Sequence, residues 1–205
     1  MKRKKPIINY LEEVILDDKE DNYYQCLFRQ TPRDVVVIEN ETLDECKFEK
    51  IDFSKVELIN THLVDCIFDS CDLSNLEFNK ISIHRCCFIN CKMTGISFND
   101  CSIKDVLFQN VQGRYMNVTL GNIRCVEFVE CCIDESSFFE IDVKELIFKN
   151  VSFINGEMFK MDLHGLDLKT TNIEGLKIDL SSLKGVHVDM YQAIALTGLL
   201  GIIVD

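Results

Sequence analysis

The sequence predicts an all-β solenoid, in which the chain winds into stacked square coils, and three observations support this prediction. Every fifth residue from Leu43 to Val188 is apolar except Gly113, which gives 29 apolar residues in 30 consecutive positions. The residue type at these positions also repeats every twenty residues, so four quintets make one coil. The 205 residues include only two prolines and nine glycines, fewer than the tight turns of a sandwich or barrel would need.

A period of five matches neither the helical period of 3.6 nor the strand period of 2.0. It suits a chain that turns a corner after every five residues, with two side chains facing inward and three facing outward. The inward positions are the centre of each quintet and the position two residues before it. About 7.5 coils between residues 41 and 188 would form a stack roughly 36 Å long at the ~4.8 Å spacing of strands.

One of the four central columns is almost entirely phenylalanine, and we expect these side chains to stack into a core ladder. Its members are Phe48, Phe68, Phe88, Phe108, Phe128 and Phe148. Gly113 is the one central residue without a side chain. We expect the neighbouring Tyr115 or Met116 to fill the gap.

The cysteines follow the same register. Seven of the eleven occupy the inward position before the centre: Cys46, Cys66, Cys71, Cys86, Cys91, Cys101 and Cys131. We interpret them as buried, inert thiols that act as small hydrophobes. The segment 84–91 holds one histidine and three cysteines, so zinc is the alternative. Two of these thiols face inward and a second ligand pair is missing, so we expect no metal and no cofactor.

Individual quintets resemble the A-(D/N)-L-x-x repeat of the pentapeptide-repeat family. The segments 71–75, Cys-Asp-Leu-Ser-Asn, and 101–105, Cys-Ser-Ile-Lys-Asp, show it plainly. The resemblance covers about residues 41–188, and it implies that the coils form a right-handed quadrilateral β-helix.

The end of the repeat predicts a capped solenoid. Asp189 and Gln192 form a D-x-x-Q variant of a capping box, residues 190–200 are expected to form an α-helix, and Gly201 is expected to end it. Residues 202–204 are predicted as a short apolar strand. The helix is apolar nearly all round, so one face can cover the last coil while the other must be buried elsewhere. A self-contained cap is the alternative to burial against a second copy.

The C-terminal segment also resembles the Qnr/MfpA-type quinolone-resistance subgroup of this family. The residues that carry the resemblance are 183–186, 192–193 and 200–202. It implies rod-shaped dimers that mimic duplex DNA and engage DNA gyrase and topoisomerase IV. No insertion interrupts the quintets, so the chain is more similar to the loopless Gram-positive and mycobacterial members. We expect a homodimer through the C-terminus with an interface core of Tyr191, Ile194, Ala195, Leu199, Ile202 and Val204.

We expect one domain with three parts. Residues 1–24 form an N-terminal cap or tail, residues 25–188 the coils, and residues 189–205 a dimerising helix and strand. Within the first part, residues 7–16 are predicted as an apolar cap or an added strand, and residues 2–5 as a solvated basic tail.

The charge pattern points to a protein partner. A net charge of −12 and a pI near 4.8 argue against direct binding to nucleic acid. The coil 126–145 carries seven acids against one lysine, denser than the about three charges of DNA over the same ~4.8 Å. Partner-binding candidates are Glu127, Glu130, Asp134, Glu135, Glu140, Asp142 and Glu145. Four of them share one repeat position and would encircle the rod. An ordinary polar surface is the alternative.

The sequence contains no Gly-rich phosphate loop, G-x-S-x-G or H-E-x-x-H motif, so an enzyme is not expected. Cys87 and Cys132 face outward, but no histidine–acid pair can be assigned to either. No apolar run reaches the roughly 18 residues of a membrane helix, and no signal-peptide hydrophobic region is present, so we expect a cytoplasmic protein. The predicted function is a DNA mimic that binds type II topoisomerases, modulating gyrase or conferring low-level quinolone tolerance. A scaffold repeat protein with another protein partner is the alternative.

Overall fold

The computed structural model describes residues 2–17 and 23–203 as a parallel β-solenoid of about eight turns with one short C-terminal helix. From Tyr23 onward, paired strands are offset by twenty residues, for example Leu43 opposite Leu63 and Met158 opposite Ile178. The added N-terminal strand is the exception, with Glu12 opposite Cys26. The predicted solenoid, its square coils of four quintets and its uninterrupted register are therefore confirmed.

Most strands are two to four residues long because the chain turns a corner after each one. In chain order they are β1 (Glu12–Glu13), β2 (Tyr23–Tyr24), β3 (Cys26–Phe28), β4 (Val36–Glu39), β5 (Thr42–Asp44), β6 (Lys47–Glu49), β7 (Val56–Ile59), β8 (His62–Val64), β9 (Ile67–Asp69), β10 (Glu77–Asn79), β11 (Ser82–His84), β12 (Cys87–Ile89), β13 (Ser97–Asn99), β14 (Ser102–Lys104), β15 (Leu107–Gln109), β16 (Asn117–Thr119), β17 (Asn122–Val129), β18 (Ser137–Phe139), β19 (Asp142–Lys149), β20 (Glu157–Phe159) and β21 (Lys177–Ile178). Among the described strands, only β17 and β19 continue from one face to the next across a corner.

The four faces of the rod are named here by their central columns: face 1 contains Leu43, face 2 Phe48, face 3 Phe53 and face 4 Leu58. Faces 1 and 2 form one 13-stranded sheet, since β17 and β19 cross the corner between them. Face 4 carries a six-stranded sheet and the separate β4–β7 pair. Face 3 is connected by isolated parallel β-bridges.

The phenylalanine ladder is the centre of the core. From Phe28 to Phe128 the rings of face 2 stack in parallel, with centroids 4.5 to 5.0 Å apart. Phe28 therefore extends the predicted ladder by one coil. Phe148 is turned edge-on to Phe128, because Phe138 and Phe153 also contact its ring edge-on and crowd the stack.

The side chain of Met116 lies at the gap left by Gly113. A Cβ at this position would lie 3.0 Å from the terminal methyl of Met116 and 3.3 Å from Ile133. Tyr115 instead lies at an edge with half of its side chain exposed. Of the two fillers expected from the sequence, the structure supports Met116.

The inward cysteines form a repeated contact as well as filling space. Each thiol donates to the backbone carbonyl 23 residues earlier, for example Cys66 to Leu43 at 3.2 Å and Cys131 to Phe108 at 3.3 Å. All eleven cysteines are free. Burial raises the pKa of the Cys131 thiol to about 11 and that of Cys66 well above its ordinary value, which disfavours the reactive thiolate. Among the described residues no group of three potential metal ligands lies together.

The N-terminal segment first follows an edge of the solenoid and then caps its end. β1 pairs in parallel with β3, and Leu16 is buried against the core, so residues 7–16 include both an added strand and a capping residue. Residues 2–5 are not a free tail, although Lys2, Lys4 and Lys5 are exposed as predicted. The backbone N–H of Lys4 donates to Asp105 at 2.8 Å, which fixes this segment along the edge between faces 1 and 2.

Cys87 was predicted to face outward, and the structure adds that it is covered. Its side chain does point out of face 2, but only 7% of the residue is exposed. The Arg3 guanidinium lies 4.0 Å from its sulfur, so the N-terminal segment covers it.

The C-terminal cap is a helix anchored by one glutamine. The helix α1 spans Met190–Thr197 and continues as a 3-10 turn, Gly198–Leu200. The capping box between Asp189 and Gln192 forms as predicted. The Gln192 amide also donates to two carbonyls of the last coil, at Leu168 and Thr171, both at 2.8 Å. Gln192 thereby joins the start of the helix to the solenoid.

The strand predicted at residues 202–204 is not formed by the described residues 202 and 203. Gly201 adopts a left-handed conformation, with φ of 71°. The chain therefore turns back, and the N–H of Ile202 donates to the carbonyl of Thr197 at 3.3 Å. Val204 lies outside the described residues. In the described chain, no helix has the length and apolar character needed to cross a membrane.

Candidate partner-binding surface

The corner residues of the coils share one backbone conformation. Among the described residues, 24 non-glycine residues have φ between 48° and 62°, and each has a number divisible by five. These are the residues at which the chain turns from one face to the next. Asparagine, aspartate and glycine adopt this left-handed conformation at least cost, and they occupy many of the corners.

Four of the predicted partner-binding acids are corner residues. Glu130, Glu135, Glu140 and Glu145 follow one another around a single coil, with φ of 55°, 56°, 55° and 62°. The structure thus places one glutamate on each edge of the rod rather than on each face.

Cations from other parts of the chain lie against four of the seven acids. The pairs are Arg3–Glu127, Arg114–Glu135, Arg124–Asp142 and Lys160–Glu140. The acidic coil is therefore less negative in the folded protein than its own twenty residues indicate.

Asp134 has a structural role in addition to its charge. Its carboxylate accepts hydrogen bonds from the Ser152 hydroxyl at 2.6 Å and the Ile154 N–H at 2.9 Å, which belong to the next coil. Burial alone would raise the pKa of Asp134, but these hydrogen bonds outweigh it and lower the pKa below the ordinary value. Replacing Asp134 would disturb the stacking of two coils as well as the surface charge.

The corner acids Glu145 and Glu130 differ from each other in their hydrogen-bond partners. Glu145 accepts a hydrogen bond from the Cys125 thiol at 2.8 Å, and burial together with this bond raises the pKa of Cys125 to about 11. Glu130 makes no ion pair or side-chain hydrogen bond with the described residues. Glu130 is therefore the corner carboxylate best placed to meet a partner, and Glu135 and Glu140 follow because the cations beside them are at least half exposed.

Sequence reasoning missed a second acidic feature, at the edge between faces 1 and 2. Asp65 and Asp105 occupy the same corner column two coils apart and are only 4% and 3% exposed. Asp65 forms a two-point ion pair with Arg85, and Asp105 lies 3.6 Å from His84. Sorting the corner residues by the period of twenty would have revealed this column, but not its burial.

The predicted dimer residues that the structure describes lie on the surface of the cap. Tyr191, Ile194, Leu199 and Ile202 are 78%, 46%, 40% and 51% exposed, and Ala195 is exposed as well. α1 has no buried residue. The single copy therefore leaves an apolar patch uncovered at one end of the rod.

The corner conformation predicts an unusual response to charge removal. Glu130→Asn should raise the free energy of unfolding by less than about 1 kcal/mol, because asparagine tolerates a left-handed backbone better than glutamate. Glu127→Asn is the matched control: Glu127 lies in β17 and pairs with Arg3, so its loss should lower stability slightly. Urea unfolding monitored by circular dichroism measures both. A lower midpoint for Glu130→Asn than for the wild type would contradict the corner assignment.

Comparisons with known proteins identify the repeat but not a function. A model described as a pentapeptide repeat region matches residues 61–138, and one described as pentapeptide repeats (8 copies) matches residues 42–75. No curated protein matches the chain significantly in sequence.

Solved structures are similar to this chain at low identity. A trypsin-treated form of QnrB1, a plasmid-mediated fluoroquinolone resistance protein, is 19% identical with a TM-score of 0.46, covering 97% of this chain and 98% of that one. Full-length QnrB1 is 22% identical with a TM-score of 0.46, covering 93% and 95%. The pentapeptide repeat protein Rfr23 from the cyanobacterium Cyanothece 51142 is 9% identical with a TM-score of 0.41, covering 60% and 91%. Likeness of fold alone assigns no function.

Proposed function

Because the chain belongs to the pentapeptide-repeat family, we propose that it is a non-catalytic acidic rod that binds the DNA-binding surface of a type II topoisomerase, DNA gyrase or topoisomerase IV. The observation that carries the proposal is the corner geometry, which projects Glu130, Glu135, Glu140 and Glu145 from all four edges of one coil. A DNA duplex likewise presents negative charge around its whole circumference. A basic groove can therefore meet carboxylates on whichever edge enters it.

The overall charge favours a salt-sensitive complex. About eight turns at ~4.8 Å give a rod of roughly 38 Å, along which DNA would carry about 22 charges. The net charge of −12 is about half of that. Partner lysines and arginines can replace Arg114 and Lys160, which are half exposed or more and form pairs of the exposed kind that contribute little stability. Raising the ionic strength should weaken binding.

The proposed rod is a two-fold dimer joined at the C-termini. The uncovered apolar patch on α1 and the 3-10 turn can be hidden on both copies by one self-complementary contact. Two rods end to end would reach on the order of 80–100 Å. That length suits a long concave surface of the topoisomerase that normally holds a DNA segment.

A supercoiling assay with purified gyrase tests the proposal. We expect the wild-type protein to inhibit supercoiling at micromolar concentration, with inhibition falling as salt is raised. A Glu130→Asn, Glu135→Asn, Glu140→Asn variant should need about tenfold more protein, equivalent to ~1.4 kcal/mol. Repeating the assay with a fluoroquinolone separates protection of the enzyme from inhibition alone.

A corner-matched control separates charge from fold. The Lys50→Asn, Ser70→Asn, Lys80→Asn variant also changes three left-handed corners but removes no acid, so it should inhibit at least as well as the wild type. No inhibition by the wild type at high micromolar concentration would reject the topoisomerase proposal. A scaffold protein with another protein partner would then be favoured.

A further inference from the structure

One edge of the rod already holds an extended peptide, which is the chain's own N-terminus. The corner residues between faces 1 and 2, here called the edge column, include Glu45, Asp65 and Asp105 at intervals of whole coils. The segment 2–9 runs lengthwise along this column. It crosses from coil to coil instead of extending a sheet, and residues 2–11 belong to no strand.

The contacts follow the edge column in order. The N–H of Lys4 donates to Asp105 at 2.8 Å, and the N–H of Ile7 donates to Asp65 at 2.9 Å. Beyond them, the Asn9 side-chain amide donates to Glu45 at 3.1 Å. Two of these three bonds use the peptide backbone, so they do not depend on the side chains of the bound segment.

The spacing of donors and acceptors matches the repeat of the rod. Asp65 and Asp105 are two coils apart, which is ~9.6 Å at the strand spacing. Lys4 and Ile7 are three residues apart, and three residues of extended or polyproline II backbone span about 9–10 Å. Any extended segment can therefore offer backbone amides to both aspartates, at positions i and i+3.

The surroundings of the buried Asp65 keep it charged. Burial would raise the pKa of Asp65, but hydrogen bonds from Arg85 and from the N–H of Ile7 outweigh it and lower the pKa. Burial, then the nearby cation Arg85, lowers the pKa of His84, so this imidazole is neutral at pH 7 and adds no cation beside Asp105. The Lys4 N–H is therefore an important partner of Asp105, because a buried polar group without a hydrogen bond is costly.

The same segment supplies a cation to a defined place. The Arg3 side chain is only 9% exposed, and its Nε lies 3.3 Å from Glu127. Beneath it lies Cys87, which is 7% exposed although it points out of face 2. The edge thus favours a segment that is extended and basic.

The bound segment can leave without unfolding the rod. Ile7 is 58% exposed and Lys4 and Lys5 are also exposed, so little apolar surface secures the segment. The strands beneath it, from β5 through β8, β11 and β14 to β17, pair with one another and not with the segment. A segment with few buried contacts and mostly electrostatic bonds opens locally and is weakened by salt.

We propose that the edge column is a binding groove for an extended basic peptide, occupied in cis by residues 2–9, which must leave before the basic segment of a protein partner can bind. The inference goes beyond the topoisomerase proposal and does not depend on it. Recognition combines two backbone amides at i and i+3 with a cation at the Glu127 end.

Cys87 reports on the occupied groove in the full-length protein. In a Cys125→Ser, Cys132→Ser background, the two partly exposed thiols of the chain are removed, and Cys87 remains as a buried thiol. Lys4→Pro together with Ile7→Pro deletes both backbone donors while changing only exposed tail residues. We expect alkylation of Cys87 by a maleimide to be about tenfold faster or more in the double-proline variant, because hydrogen bonds to charged groups are the stronger kind. Unchanged melting would show that the coils stay folded.

A synthetic peptide then tests the groove in trans. A labelled peptide with the sequence of residues 2–9 should bind the double-proline variant saturably in fluorescence anisotropy, should protect its Cys87 again, and should bind the wild type much more weakly. The control peptide carries N-methyl groups on the amides of its residues 4 and 7, so its charge is unchanged, and it should not bind. Asp105→Asn in the double-proline variant should also weaken the unmodified peptide.

Three results would overturn the inference. They are equal Cys87 reactivity in wild type and variant, absence of peptide binding to the released groove, and equal binding of the N-methylated peptide. If the double-proline variant melts at a much lower temperature, the test is instead the rate of Cys87 alkylation in the wild type as the salt concentration is raised. An alkylation rate that does not change with salt would contradict a displaceable segment. No topoisomerase is present in these measurements, so failure of the groove and failure of the topoisomerase proposal are distinguishable.

Discussion

Replacing Phe108 with alanine should lower the free energy of unfolding by about 3–5 kcal/mol, the usual cost of emptying a buried phenylalanine site. The ring is 1% exposed and stacks between Phe88 at 5.0 Å and Phe128 at 4.5 Å. Its edge also contacts Phe98 at 6.3 Å. The neighbouring coils cannot close the cavity, because their backbones are fixed by the parallel ladder.

Urea unfolding followed by circular dichroism measures this loss, and Phe139→Ala is the matched control. Phe139 points out of face 4 and its ring lies under Lys160, so its removal should cost within about 1 kcal/mol. Each coil of a solenoid contacts only its neighbours, so the Phe108 cavity can also split the transition into two steps. Equal midpoints for Phe108→Ala and the wild type would contradict the observed ladder.

The second large effect concerns assembly. We expect the wild type to have the mass of two chains in light scattering at tens of micromolar, and Leu199→Asp with Ile202→Asp to have the mass of one. Both side chains are exposed in the single copy, so the new carboxylates should hardly change the stability of the monomer. In an apolar dimer contact, however, each carboxylate would be buried without a partner, which is costly. Neither residue belongs to the quintet register, so the circular dichroism of the coils should not change.

Leu120→Asp is the control for that experiment. Leu120 is 53% exposed and occupies a mid-rod corner with φ of 57°, which aspartate tolerates well. It should leave the dimer intact. A wild-type mass near one chain would contradict the dimer, and loss of the dimer in the Leu120 variant would place the interface along the rod.

The sequence alone determined the repeated part of this protein. In a solenoid, the surroundings of a residue depend on its position within the twenty-residue coil, so the period in the sequence is also the period of the structure. This is why the stacking of Phe48 on Phe68 and the burial of Cys66 could be predicted, whereas the filler of the gap at Gly113 was left open between Tyr115 and Met116. The capping box of Asp189 and Gln192 was equally readable, since its contacts are local.

Only the tertiary structure decided the features that do not repeat. Residues 2–9 share no period with the coils, and the bond from Lys4 to Asp105 joins residues 101 positions apart in the sequence. No sequence pattern could therefore predict where the segment lies or that it covers Cys87. The acidic coil was found by its composition, but the pairing of Glu127 with Arg3 was not. Composition counts the charges of one segment, whereas the field at a surface depends on every charge that the fold brings near it.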